Sequence, residues 1–167
     1  RRSIGVSPAD TPPTDSTGWD LVYRPRNLPR WAIAAAVVVM AIHITFGLLL
    51  TIDDVGVRNL GGSDQIAIIL IGVLISAAIL LFTRPRLRVG AAGVEVRNLV
   101  SARLFEWDRV LGLTYPEQGF GAWLLFPADE HITVLAVQAG DGQRAIDAMG
   151  RFRELEERYR GTVRPGH

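Results

Sequence analysis

The chain has 167 residues, 49% of them hydrophobic, with 18 basic side chains (all arginine) against 17 acidic ones and a formal net charge of +1. That near-balance lacks the basic field that a nucleic-acid binder needs, and the absence of cysteine excludes disulfide frameworks, thiolate zinc sites and cysteine nucleophiles. Two long apolar runs occupy much of the length, leaving roughly 80 residues, enough for one small domain.

Residues 1–18 are rich in Pro, Ser, Thr and Asp, with Pro12–Pro13 the stiffest point. Such an arm has too little apolar surface to offset its ordering entropy, so it is expected to be disordered alone or ordered by a partner. Residues 19–30 read as a juxtamembrane segment. Trp19, Leu21 and Tyr23 alternate with Asp20 and Val22, the period of a short strand. The same Trp and Tyr, just before Arg24, Arg26 and Arg30, equally suit an interfacial anchor at headgroup level.

Trp31 to Ile52 carries no formal charge, and its polar side chains are His43, Thr45 and Thr51. Ile66 to Phe82 is interrupted by Ser76 and the small residues Gly72, Ala77 and Ala78. A hydrocarbon core of about 30 Å needs roughly 20 apolar residues, about 17 at the least, and neither run shows the polar stripe of a soluble helix. Residues 31–82 therefore read as a transmembrane hairpin, with Pro29 suited to the opening turn. The first run exceeds a signal-peptide h-region of about 7–15 residues, and no small-residue cleavage site follows it. Arg24, Arg26 and Arg30 precede the first span and Arg84, Arg86 and Arg88 follow the second, whereas the connection holds Asp53, Asp54 and Asp64 against Arg58. Basic flanks stay inside, so a two-span protein of the plasma membrane with both termini cytoplasmic is expected.

Ala35, Val39, His43 and Gly47 recur at four-residue spacing in the first span, as do Ile68, Gly72, Ser76 and Leu80 in the second. Small residues at that spacing let backbones approach, which makes these the candidate helix–helix or partner contacts. An ionisable residue near the midplane suggests function. A lone histidine with no intramembrane carboxylate is nevertheless a poor proton relay and a poor metal site, so His43 is read as a packing residue.

Only Thr83 to Pro85 separates the second span from the next pattern, a reach of about 10 Å, so a domain at 84–160 is held close to the headgroups. Leu87–Val89, Val94–Val96, Arg103–Trp107, Val110–Tyr115, Ala122–Phe126 and Ile132–Val137 read as six strands, with a tight connection at Gly90–Gly93. Then the period changes. Asp141 is a good N-cap, and Ala145, Ala148, Met149, Phe152 and Tyr159 mark one apolar helical face. Glu154–Arg158 and Glu156–Arg160 are i, i+4 pairs, while Gly161 and Pro165 end the helix and leave 161–167 as a tail.

The expected fold class is thus a membrane α-helical hairpin plus an α+β unit, a PH-like antiparallel β-barrel or sandwich capped by a C-terminal helix. The stretches Arg84-Pro-Arg-Leu-Arg-Val-Gly90, Gly93-Val-Glu-Val-Arg-Asn98 and Arg103-Leu-Phe-Glu-Trp-Asp-Arg-Val110 resemble the bacterial PH-like domains of actinobacteria. Within that group the sequence is similar to the small membrane proteins of the low-molecular-weight protein antigen six type, in which two spans precede the domain. The arginine-only, Ala/Val/Gly-rich composition agrees with a high-GC bacterial source. The resemblance covers Trp19 to Tyr159 and implies a core of Val94, Val96, Trp107, Val110, Met149 and Phe152, with Trp107 plugging the barrel end. Such domains usually have seven strands, so either Trp19–Tyr23 supplies one or two strands are merged in the reading above.

No nucleophile elbow, P-loop, zinc-binding helix or Rossmann fingerprint occurs. Gly119-Phe-Gly121 reads as a hairpin turn, and Asp129-Glu130-His131 as a solvated strand start whose side chains alternate in direction. Neither enzyme activity, a cofactor, a metal nor a small-molecule substrate is expected. The Gly90–Gly93 loop has no charge to hold a polyphosphate, which argues against specific inositide recognition. Arg86, Arg88 and Arg97 lie near that loop and suit generic anionic headgroups, and headgroup or partner contact is expected at Trp19, Tyr23, Arg24, Arg26, Arg30, Arg84, Arg86 and Arg88. The favoured function is a non-catalytic accessory or assembly subunit of a larger inner-membrane complex, with the respiratory chain as first guess and other membrane subunits and lipids as partners. The alternative is an autonomous anionic-lipid-binding adaptor, and the weakest reading is a transport or redox role for His43.

Overall fold

Trp19–Tyr23 is a strand, β1, and its partner lies on the far side of the hairpin. The computed structural model describes residues 18–49 and 62–163; the arm before Gly18, the connection carrying Asp53, Asp54 and Arg58, and the tail after Val163 lie outside them. β1 pairs antiparallel with β2 (Arg86–Gly90), setting Tyr23 opposite Leu87 and Leu21 opposite Val89, with a bulge between Trp19 and Leu21. The period-2 pattern points Tyr23, Leu87 and Val89 into the core. The membrane-length hairpin is therefore an insertion between two neighbouring strands of one sheet. Tyr23, read as a possible headgroup contact, is buried instead.

The hairpin consists of α1 (Asn27–Leu49) and α2 (Gly62–Leu80), the latter prolonged by a 3-10 turn, Leu81–Thr83. At 1.5 Å per residue α1 rises about 35 Å, and both helices are long and apolar enough to cross a membrane. Val37, Val38, Phe46, Leu70 and Leu74 are exposed along their outer faces, a surface that lipid accommodates and water does not. The helix starts four residues before Trp31, because the amides of Arg26 and Asn27 are capped from outside the hairpin, as described below.

The interhelical face of α1 runs through Ala32, Ala36 and Gly47, with Val39 and His43 half-buried. Ala35, the residue at strict four-residue spacing, is exposed and Ala36 takes its place. The reason is angular. Three steps of four residues drift about 120° around a helix with 3.6 residues per turn, whereas the eleven residues from Ala36 to Gly47 drift about 20°. On α2, Gly72 and Ser76 are buried, Ile68 is half-buried and Leu80 is exposed. Ser76 Oγ donates to Ala36 O at 3.1 Å. A Cβ built on Gly72 would lie 2.5 Å from His43 Cβ, so only glycine lets the two backbones approach this closely.

After the hairpin come β3 (Gly93–Arg97), β4 (Ala102–Phe105), β5 (Gly112–Thr114), β6 (Ala122–Leu125), β7 (His131–Val134) and the helix α3 (Gln143–Val163). The seven antiparallel strands form two sheets, β1-β2-β3-β4 and β5-β6-β7, rather than one closed barrel. β1 thus supplies the seventh strand. At the distal turn, Gly93 has φ +133 and an added Cβ would lie 2.1 Å from Phe105 O, a position closed to L side chains.

The two sheets and α3 enclose one core that contains Val94, Val96, Trp107, Val110, Phe152 and Leu155; Met149 is half-buried at its margin. Trp107 packs against Phe152 and Tyr159, both at 5.9 Å between ring centroids, and its Nε1–H donates to Gly90 O at 2.9 Å. Two details of α3 differ from expectation. Glu154 pairs with Arg151 at 2.8 Å rather than with Arg158, and the helix runs through Gly161 to Val163. Glu156 does pair with Arg160, at 2.9 Å.

Candidate functional site

The most connected polar feature lies where the hairpin meets the domain. Asp141, expected to cap α3, ends a short 3-10 turn (Ala139–Asp141) and is separated from α3 by Gly142, whose φ is +57. Its carboxylate is consequently free to turn outward. It accepts from Arg26 N at 3.1 and 3.2 Å, from Asn27 N at 3.1 Å and from the Tyr23 hydroxyl at 3.0 Å. Asn27 Nδ2 donates in turn to Gly140 O at 2.6 Å. A carboxylate at a helix start satisfies orphan amides and opposes the positive end of the helix dipole. Asp141 therefore caps the first membrane-length helix from within the domain.

Burial, then the hydrogen bond and charge of Asp141, push the Tyr23 phenol from 10.0 up to about 12, while Arg144 opposes the shift. A second clasp joins β1 to α3: the Tyr159 hydroxyl donates to Asp20, and that bond, followed by burial, raises the Tyr159 phenol. Burial also raises Glu156, against the lowering effect of Arg160 and Arg153.

The arginines of the flanks separate into groups. Arg24, Arg84 and Arg86 line one crevice of about 220 Å³ together with Thr83, Pro85 and Arg97. Arg97 is expected from the sequence only as a nearby cation suited to anionic headgroups, and Thr83 is not singled out there as a contact; β3 returns Arg97 opposite Arg86 once the sheet has formed. Arg86 and Arg88 both reach Glu95, at 3.2 and 3.7 Å. The Arg88 guanidinium lies 5.9 Å from the Trp19 ring centroid, so Trp19 is a partner of this arginine in the sheet. Arg26 and Arg30 are exposed and do not line the crevice. Trp31, 76% exposed in the first turns of α1, is the aromatic side chain that fits an interfacial belt there.

His43 Nδ1 lies 2.8 Å from Val39 O, so this nitrogen carries the proton it donates within its own helix, while the ring packs over Gly72. In the domain, Asp129, Glu130 and His131 line a cleft of about 640 Å³ with Arg103, Phe105, Arg109 and Phe126. The His131 ring stacks on Trp123 at 4.1 Å. Among the described residues no group of three His, Asp or Glu side chains could hold a metal ion.

The bacterial PH domain family model matches residues 84–155. Uncharacterized proteins of Mycobacterium tuberculosis and Mycobacterium bovis are 43% identical over 142 residues, covering 85% of this chain and 92% of theirs. No solved structure matches. The match opens at Arg84, so β1 and both membrane-length helices precede it, yet β1 completes the sheet that the matched residues begin. By the family match and its architecture alike, the chain belongs to the bacterial PH domain family, as a member with two membrane-length helices inserted behind its first strand.

Proposed function

We propose that the protein is a non-catalytic accessory or assembly subunit of a larger inner-membrane complex, in which the PH-like domain is a binding platform fixed at the cytoplasmic membrane surface. The observation that carries this reading is the double attachment of the domain. Three residues join β1 to α1, two join the 3-10 turn after α2 to β2, and Asp141 clasps the start of α1. A platform held this way suits a clamp between subunits better than a recruiter on a flexible linker. The arginine flanks support the cytoplasmic orientation, and the mycobacterial relatives support an actinobacterial setting. The abundant respiratory-chain complexes are the first assembly to examine.

Purification of the tagged full chain in mild detergent tests this directly. A subunit co-elutes with stoichiometric membrane proteins, whereas recovery as a lone small species refutes the assembly reading. A reporter fused after His167 should be cytoplasmic; finding it outside would refute the orientation.

A second reading, an autonomous adaptor for anionic lipid, is favoured by one observation: four arginines line a single crevice at the foot of both helices.

A further inference from the structure

We propose that the crevice lined by Arg24, Thr83, Arg84, Pro85, Arg86 and Arg97 is a phosphate site, occupied by the headgroup of an anionic phospholipid in the leaflet from which the two helices emerge. The inference deepens the lipid reading and rests on the helices spanning a bilayer. It concerns the end of the sheet opposite the uncharged Gly90–Gly93 turn.

The argument begins with charge. Four arginines line about 220 Å³. One carboxylate, Glu95, is in ion-pair range of this group; it contacts Arg86 at 3.2 Å and is shared with Arg88 at 3.7 Å. Among the described residues, no carboxylate lies within ion-pair distance of Arg24, Arg84 or Arg97. Like charges gathered in one concavity repel unless an anion enters, and guanidinium forks match phosphate oxygens. The Thr83 hydroxyl, which donates to Leu80 O at 2.7 Å, keeps its lone pairs for a headgroup hydroxyl.

The site is also built rather than draped. Arg86 is held in a strand, its side chain is 16% exposed, and Glu95 fixes its Nη2. Arg97 stands opposite it in register on β3. Arg24 immediately follows β1 and Arg84 immediately follows the 3-10 turn, so the four converge because β1, β2 and β3 are neighbours.

Position selects the source of the phosphate. Arg24 lies three residues before α1, and Thr83 ends the apolar run of α2. A group at that depth meets the phosphate layer of the bilayer before it meets bulk solvent.

The test uses the full chain in nanodiscs of phosphatidylglycerol and phosphatidylcholine in equal parts, released for native mass spectrometry. The wild-type chain should retain phosphatidylglycerol preferentially. Arg24→Gln and Arg97→Gln should each lower that preference about fivefold, while Arg153→Gln, exposed on α3 and outside the crevice, should leave it unchanged. Arg97→Lys should restore part of it, which separates lost charge from misfolding. Equal retention of both lipids overturns the proposal, as does an equal loss in Arg153→Gln, which would mark diffuse surface charge. A parallel arm titrates inorganic phosphate into lipid-free detergent protein. Phosphate binding that depends on Arg97 but does not compete with phosphatidylglycerol would assign the site to a soluble anion and overturn the lipid source. A chain that does not enter the discs refutes the spanning reading itself, an outcome distinct from entry without lipid preference.

Discussion

Replacing Asp141 with alanine should loosen the joint between the domain and α1 without unfolding either. The carboxylate holds three donors: the Tyr23 hydroxyl and the amides of Arg26 and Asn27. Tyr23 is 7% exposed, so its hydroxyl has little access to replacement water, and a buried polar group left unpaired costs about 1–3 kcal/mol. Loss of a helix cap costs about 0.5–2 kcal/mol. These terms overlap, since solvent reaches the exposed Arg26 and Asn27 Nδ2 still holds Gly140 O. The expected loss is therefore about 2–4 kcal/mol. Thermal unfolding in micelles, followed by tryptophan fluorescence, gives the stability; hydrogen exchange gives the location. The amides of Arg26 and Asn27 should exchange at least about tenfold faster, while those of Val38 to Ile44 stay protected. Asp141→Asn, which keeps one acceptor oxygen, should fall between. A loss below about 0.5 kcal/mol with unchanged exchange at Asn27 would refute the cap.

Trp107→Ala should destabilise the domain by about 3–5 kcal/mol, because the indole fills the space against Phe152 and Tyr159 and supplies the donor to Gly90 O; a calorimetric loss under about 1 kcal/mol would contradict its place in the core. Gly72→Leu must push α2 away from His43, a cost of about 1–3 kcal/mol for overpacking. In this cysteine-free chain it should slow disulfide formation between cysteines placed at Ala36 and Ser76. Tyr23 should titrate near pH 12 in an absorbance titration, a transition absent from Tyr23→Phe. The folded state keeps that proton longer than the unfolded chain, so the associated stability is complete below about pH 10 and is lost between about pH 10 and 12. Allowing for solvent screening, the loss is about 1–2 kcal/mol.

Patterns that repeat locally were legible in the sequence. The uncharged runs show both membrane-length helices, and the period-2 alternations of residues 87–97 show β2 and β3. The apolar face of α3 predicts the helix that closes the core. What was not legible depended on residues brought together from a distance. Asp141 satisfies every local criterion for capping α3, yet Gly142 turns the chain and frees its carboxylate for an amide 114 positions earlier. Spacing alone favoured Ala35, but a four-residue repeat drifts around the helix until Ala36 faces α2. Arg97 reads in the sequence as a cation suited to headgroups, but its place opposite Arg86, in one crevice with Arg24 and Arg84, needed the strand register.

The insertion behind β1 also constrains how the protein can form. β1 precedes both helices in the chain, and β2, its partner, follows them. β1 therefore stays unpaired until the entire hairpin has been made and Tyr23 can meet Leu87. Separating strand partners by a long segment delays their contact, since loop closure must precede the pairing that offsets it. The hairpin shortens that search in a particular way: once α1 and α2 pack through Ala36, His43, Gly72 and Ser76, their outer ends bring Arg24 and Arg84 to one crevice. β1 and β2 then begin side by side and can pair toward Trp19 and Gly90. Helix packing is thus expected to precede sheet completion. A substitution such as Gly72→Leu, remote from the domain, should delay protection of the β1 amides as well as separating the helices, while a defect confined to the domain should leave the hairpin intact.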